Sequence, residues 1–141
     1  MKNFIIFTDG ASRGNPGHSS CGFIIKSLDG VIWVQDSLYL GIGTNNIAEY
    51  TGVKLALKRL ITDFHKLLPV EAEVRVDSQL VAKQLNGLYK IKNPNLKTIF
   101  LDIKQLEIKV GKVNYLHIPR TQNLLADKLA NYALDNHLKN K

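Results

Sequence analysis

A chain of 141 residues with 45% hydrophobic residues has enough apolar material for one packed core and too little length for two ordinary domains. Its single cysteine, Cys21, excludes an intrachain disulfide and an all-cysteine metal site. A net charge of +7, from 19 Lys and Arg against 12 Asp and Glu, points to polyanionic partners, nucleic acid ahead of an acidic membrane surface.

In chain order, Phe4-Ile5-Ile6-Phe7 is a continuous apolar run closed by Asp9-Gly10 and reads as a strand buried on both faces. The run is too short for a signal peptide, and nothing approaches the roughly 20 apolar residues of a membrane span, so a cytoplasmic protein without a membrane partner is expected. Residues 10–20 hold three glycines and a proline and read as a loop. Residues 21–28 and 31–40 are rich in Ile, Val and aromatics. Asp29-Gly30 between them signals a hairpin, so the second and third strands are antiparallel.

Ile47, Tyr50, Val53, Leu57, Leu60, Ile61 and Phe64 recur at helical spacing, which predicts an amphipathic helix over 46–64 capped by Thr44 or Asn45. Residues 71–77 alternate, with Ala72, Val74 and Val76 on one face of a fourth strand. A short helix over 78–85 is stopped by Asn86-Gly87. Pro94 opens another helix with Leu96, Ile99, Phe100, Ile103 and Leu106 as its apolar stripe. A fifth strand covers 112–118. The last helix covers 123–138, with Leu125, Leu129, Tyr132 and Ala133 inward. The polar, basic residues 136–141 read as a frayed tail on a single domain spanning 1–141. The order β-β-β-α-β-α-α-β-α suggests an α/β fold, a mixed sheet with helices packed on it and the fourth strand parallel to the first.

That arrangement bears on the acids. Asp9 ends the first strand and Asp77 the fourth, so parallel neighbours deliver both carboxylates to one sheet end, where strand order reverses and ligands bind in open α/β sheets. Glu49 and Asp127 stand in the first turns of two helices that can reach over the same end. Acids gathered in one cleft raise each other's pKa. A pair of hard divalent cations resolves the conflict, and an all-oxygen set suits two Mg²⁺ ions, with Mn²⁺ as a substitute. Two ions ~3.5–4 Å apart can activate water and steady the leaving oxygen of a phosphodiester, while the basic surface grips phosphates. Singly, each acid has a plainer use: Asp9 in a turn, Glu49 on a solvated face, Asp77 as a helix cap, Asp127 paired along its own helix.

Four motifs carry a resemblance: Thr8-Asp9-Gly10-Ala11-Ser12-Arg13-Gly14-Asn15-Pro16-Gly17, Thr44-Asn45-Asn46-Ile47-Ala48-Glu49-Tyr50, Val76-Asp77-Ser78-Gln79 and Asn123-Leu124-Leu125-Ala126-Asp127. In this order, and over nearly the whole chain, the sequence resembles the type 1 ribonuclease H family of prokaryotic kind. The resemblance implies a five-stranded sheet in the order 3-2-1-4-5, strand 2 antiparallel, with helices on both faces. It also implies that Asp9, Glu49, Asp77 and Asp127 hold two Mg²⁺ ions and hydrolyse the RNA strand of an RNA–DNA hybrid, leaving 5′-phosphate and 3′-hydroxyl ends. Gly10, Ser12, Asn45, Asn46 and Gln79 match positions that contact the RNA strand in the minor groove, where the 2′-hydroxyl distinguishes RNA from DNA. Asn15 and Thr44 match a pocket for a DNA phosphate. A monomer is expected.

Two departures stand out. Residues 87–93 alone separate the short helix from Pro94, so the lysine-rich protrusion of many relatives is absent, leaving Lys90, Lys92 and Lys97 nearby. Many relatives place a mobile histidine after the fifth strand. Here the segment reads His117-Ile118-Pro119-Arg120-Thr121-Gln122-Asn123, and Arg120 is the better candidate to assist at the scissile phosphate. His18, His65 and His137 carry no motif and are expected at the surface. The competing readings are a nuclease of the same fold acting on double-stranded RNA or DNA junctions, and a non-catalytic nucleic-acid-binding module.

Overall fold

Alternation in the first apolar run buries Phe4, Ile6 and Thr8 on one side and leaves Ile5 and Phe7 half-buried on the other. The first strand therefore has one fully buried face, not two. The ring of Phe7 carries Lys26 Nζ at 5.2 Å and the Arg75 guanidinium at 5.4 Å, so basic side chains cover its apolar face.

The computed structural model describes residues 2–139. Its elements are β1 (Lys2–Gly14), β2 (Gly17–Ser27), β3 (Ile32–Gly43), α1 (Asn45–Asp63), β4 (Val70–Val76), α2 (Gln79–Leu85), α3 (Pro94–Val110), β5 (Gly111–His117) and α4 (Leu124–Lys139). The sheet order is β3-β2-β1-β4-β5. β2 runs antiparallel to both β1 and β3, and β4 is parallel to β1 and β5. The Asp29-Gly30 hairpin forms as expected, closed by bonds between Ser27, Gly30 and Val31.

The loop expected over 10–20 is instead a continuation of the hairpin. Gly10 pairs with Cys21, Ser12 with Ser19 and Gly14 with Gly17, leaving Asn15 and Pro16 as the turn. The glycines there mostly serve close approach. A Cβ on Gly17 would lie 2.0 Å from Arg13 O.

Consecutive strand residues point to opposite faces. Cys21 faces α1, where a Cβ on Gly52 would sit 3.2 Å from its own, while Gly22 faces α4. Helices thus cover both faces. α1 and α3 enclose the main core with Val53, Leu57, Leu60 and Ile103 against Phe23, Ile25, Val70 and Val74.

α4 presents a different stripe from the one read in the sequence. Ala126, Ala130 and Leu134 are buried, whereas Leu125 is 39% and Tyr132 64% exposed, with Leu129 and Ala133 at the margin. The cause is Gly22, whose missing side chain lets the helix backbone descend: a Cβ there would lie 2.7 Å from Ala126 O and from Ala130 N. At that separation only alanines fit the central line, and Ser20 Oγ donates to Ala130 O. Of the segment 136–141 read as a tail, α4 includes the residues as far as Lys139, and 140–141 lie outside the described residues. His137 stacks on Tyr39 with ring centroids 3.5 Å apart, and His18 Nδ1 lies 2.8 Å from the Tyr39 hydroxyl, so these two histidines share a ring cluster. Among the described residues, no helix is long and apolar enough to cross a membrane.

Candidate active site

The parallel ladder pairs Phe7 with Arg75, so Asp9 and Asp77, each two residues further along, emerge level at the same sheet end. Asp9 is 7% exposed. Ser78 caps α2, its Oγ accepting from Val81 N at 3.2 Å, which frees Asp77 from the capping role that its position equally suited. Thr44 caps α1 by accepting from Ile47 N at 3.2 Å. Gly10 then brings that helix against β1, since a Cβ would meet Glu49 N at 2.5 Å and Ala48 C at 2.6 Å.

The result is a cluster in which carboxylate oxygens of Asp9, Glu49 and Asp77 all lie within 4.8 Å of one another. Asp127 is not part of this trio. It stands in the first turn of α4, lines the same cleft as Asp9 and Glu49, and helps to raise the Asp9 carboxyl. Asn131, one turn further on, donates to Asp127 Oδ1 at 3.2 Å. Asp9, Glu49 and Asp127 share a cleft of about 280 Å³ with Gly10, Ser12, Asn45, Arg120 and Asn131.

Of the other residues singled out from the sequence, Asn15 and Thr44 sit where the β1–β2 turn meets the start of α1, and Asn15 Oδ1 accepts from Asn45 N at 3.1 Å. Asn46 and Gln79 are exposed at the starts of α1 and α2 and do not line the acid cleft. His117 is exposed on β5, and Arg120 follows in a short 3-10 turn at the cleft. Sequence reasoning missed Asn131, for which helical i,i+4 spacing from Asp127 was the available signal.

Burial and mutual repulsion dominate the electrostatics. Desolvation, then the Asp77 charge, then the hydrogen bond with Asp127 and the remaining acids push the Asp9 carboxyl up to about 8. Burial followed by Asp77 pushes Glu49 up to about 7, opposed by a hydrogen bond from Ser78 and by the Arg120 charge. Folding thus raises both groups from ordinary values of 3.8 and 4.5, so the folded chain binds more protons than the unfolded one between those values and the raised ones. Stability is fully present below the ordinary carboxylate range and is lost as pH rises towards about 8. The melting temperature of the metal-free protein is therefore expected to fall from about pH 5 to about pH 8, and added divalent cation to reverse the fall. A melting temperature flat across that range would show that neither burial nor mutual repulsion raises these carboxyls.

A family model described as reverse transcriptase-like matches residues 7–133. The crystal structure of LC11-RNase H1 in complex with RNA/DNA hybrid aligns with a TM-score of 0.92 at 41% identity, covering 96% of this chain and 99% of that one. The chain belongs to the ribonuclease H family. The ribonuclease HI of Halobacterium salinarum is 40% identical over 129 residues, which are 92% of this chain and 63% of that protein. A bifunctional protein of Mycobacterium tuberculosis is 37% identical over 132 residues, 93% of this chain and 35% of that protein. The chain therefore spans about a third of the length of that mycobacterial relative. Within the ribonuclease H family this member is of the kind without a basic protrusion, because α2 ends at Leu85 and α3 begins at Pro94. In its place lies a groove of about 430 Å³ lined by Lys90, Lys92 and Lys97 together with Tyr89 and Phe100.

Proposed function

We propose that the chain is an endonuclease that hydrolyses the RNA strand of RNA–DNA hybrids, leaving 5′-phosphate and 3′-hydroxyl ends, with Asp9, Glu49, Asp77 and Asp127 holding two divalent cations. The observation that carries this reading is the convergence of three carboxylates within 4.8 Å, with a fourth, Asp127, lining the same cleft. An oxygen-only set of this span fits a hard cation, Mg²⁺ first and Mn²⁺ as a substitute. When bound, such ions would neutralise the acids and supply Lewis-acid polarisation of the phosphodiester.

The protein's own groups do the rest. Asp9 neighbours all three other acids electrostatically and would be one of the carboxylates that hold the ions. Ser12 and Asn45 line the cleft and offer hydroxyl and amide groups to the sugar edge, while Gly10 allows close backbone approach. Asn46 and Gln79 extend this contact along the RNA strand from two helix starts, and Asn15 with Thr44 holds a phosphate of the DNA strand. The basic groove along Lys90, Lys92 and Lys97 adds phosphate grip, in keeping with the +7 charge.

Arg120 presents a guanidinium at the cleft, suited to the scissile phosphate. Because it is exposed, Arg120→Ala should leave the melting temperature nearly unchanged and lower kcat by about 10–100-fold. Hybrid cleavage at the wild-type rate would remove Arg120 from the mechanism.

Matched labelled duplexes in Mg²⁺ test the whole reading. Cleavage of the RNA strand of RNA–DNA is expected. Cleavage of DNA–DNA without RNA–DNA would overturn the substrate, and a protein inert under several metals would instead support a binding module.

A further inference from the structure

Asn123 immediately precedes α4, where an asparagine side chain ordinarily caps the helix by accepting from its first N–H groups. Here the side chain turns inward instead. Its Nδ2 donates to Thr8 O at 2.9 Å and to Asp77 Oδ2 at 3.0 Å. Its backbone carbonyl accepts from Asp127 N at 3.1 Å. The residue is 1% exposed, and its Oδ1 accepts no hydrogen bond among the described residues. The amide orientation is nonetheless determined, because exchanging the two ends would set Oδ1 against two oxygen acceptors. A half-satisfied buried amide is a poor choice where packing alone is at stake.

Three of the acids meet at this one residue. Thr8 directly precedes Asp9, Asp77 is bonded through its own carboxylate, and Asp127, in the first turn of α4, donates its backbone N–H to the Asn123 carbonyl. We propose that Asn123 is a positioning residue that locks the ends of β1 and β4 and the start of α4 in one register, so that the acidic cluster is arranged to take divalent cation before it arrives. The inference rests on the metal-dependent reading of the cleft. It occupies one site on Asp77 Oδ2 and leaves the other carboxylate positions of Asp77 to the cluster.

The test is a Mn²⁺ titration of wild type, Asn123→Ala and Asn123→Asp, following the rise in melting temperature and, separately, hybrid cleavage. Loss of an outer partner of a ligating carboxylate should raise the Mn²⁺ concentration at half-maximal thermal shift by about 10–100-fold. Cleavage should recover at high Mn²⁺, with KM for hybrid within about threefold of wild type. Asn123→Asp sets an anion against Asp77 and should raise the midpoint further. Asn86→Ala is the matched control. It deletes an equivalent amide pair with the backbone of Tyr115, at 2.8 and 3.3 Å, on a side of β5 away from the cleft lining, and should lower stability without moving the Mn²⁺ midpoint.

An Asn123→Ala protein that loses stability as Asn86→Ala does, but keeps the wild-type midpoint, overturns the proposal. If Asn123→Ala fails to fold, Asn123→Gln, which keeps the amide on a longer stem, carries the same readout. A wild type whose melting temperature ignores Mn²⁺ overturns the reading of the cleft itself.

Discussion

Asp9→Asn is expected to lower metal-dependent cleavage by about 10³-fold or more and, in the metal-free protein at pH 8, to raise stability by about 1–2 kcal/mol. The two effects share one cause. Asp9 is the most buried acid of the cluster and the one whose proton is held most tightly, through burial first and the Asp77 charge second. The asparagine removes that anion at little change in volume and retains an oxygen for the N–H of Gly10, which Asp9 Oδ1 now accepts at 3.0 Å. Repulsion within the trio falls, and with it the downward slope of melting temperature against pH. On the metal-dependent reading proposed above, the same change also removes an anionic oxygen donor that an amide does not replace. Urea unfolding at pH 8 without metal, beside cleavage with Mg²⁺, reads both. A variant less stable than wild type would mean that the acids are not mutually destabilising. One that cleaves normally would remove Asp9 from the metal site.

Gly10→Ala should cost about 1–3 kcal/mol of stability and raise the metal concentration needed for cleavage, although it adds one methyl group and removes no charge. The added Cβ would meet Glu49 N at 2.5 Å and Ala48 C at 2.6 Å, backbone atoms that no rotamer change can clear. The start of α1 must move off β1, and Glu49 moves with it away from Asp9. Gly43→Ala is the contrast: its Cβ would stand 3.4 Å from the Ser19 hydroxyl, at ordinary contact distance, and its effect should be within about 0.5 kcal/mol. Equal stability for the two variants would show that α1 tolerates the displacement. Gly10 therefore has a structural duty besides the substrate contact implied by its motif.

Much of the fold was legible because its signals are local. The Asp29-Gly30 turn, the three- and four-residue spacing of α1, the Thr44 cap and Pro94 at the start of α3 each act over a few residues and appear where expected. Asp9 and Asp77 were legible for a related reason, since each closes a segment that reads as a strand and the parallel pairing of those strands sets them level. Glu49 depended on the motif, because helical periodicity says nothing of where a helix start is aimed.

The misreadings came from glycine and from helix–sheet contact. Glycines at 10, 14 and 17 looked like turn residues, yet the ladder runs through them. Composition does not distinguish a glycine that bends the chain from one that admits another backbone. The larger side chains of α4 suggested an inward stripe, but the approach allowed by Gly22, 100 positions or more earlier in the chain, selects Ala126 and Ala130.

By itself, then, the sequence determined which residues carry charge, which segments form strands and helices, and which four acids stand at element ends. Those properties follow from local periodicity, caps and turns. The tertiary structure alone decided that Asp9, Glu49 and Asp77 form the close trio, that Asp127 lies beside it, and that the Asn123 side chain turns away from its helix to bond Thr8 and Asp77. Those outcomes depend on how near two elements can come, which is set by the side chains missing at Gly10 and Gly22 and by one buried amide.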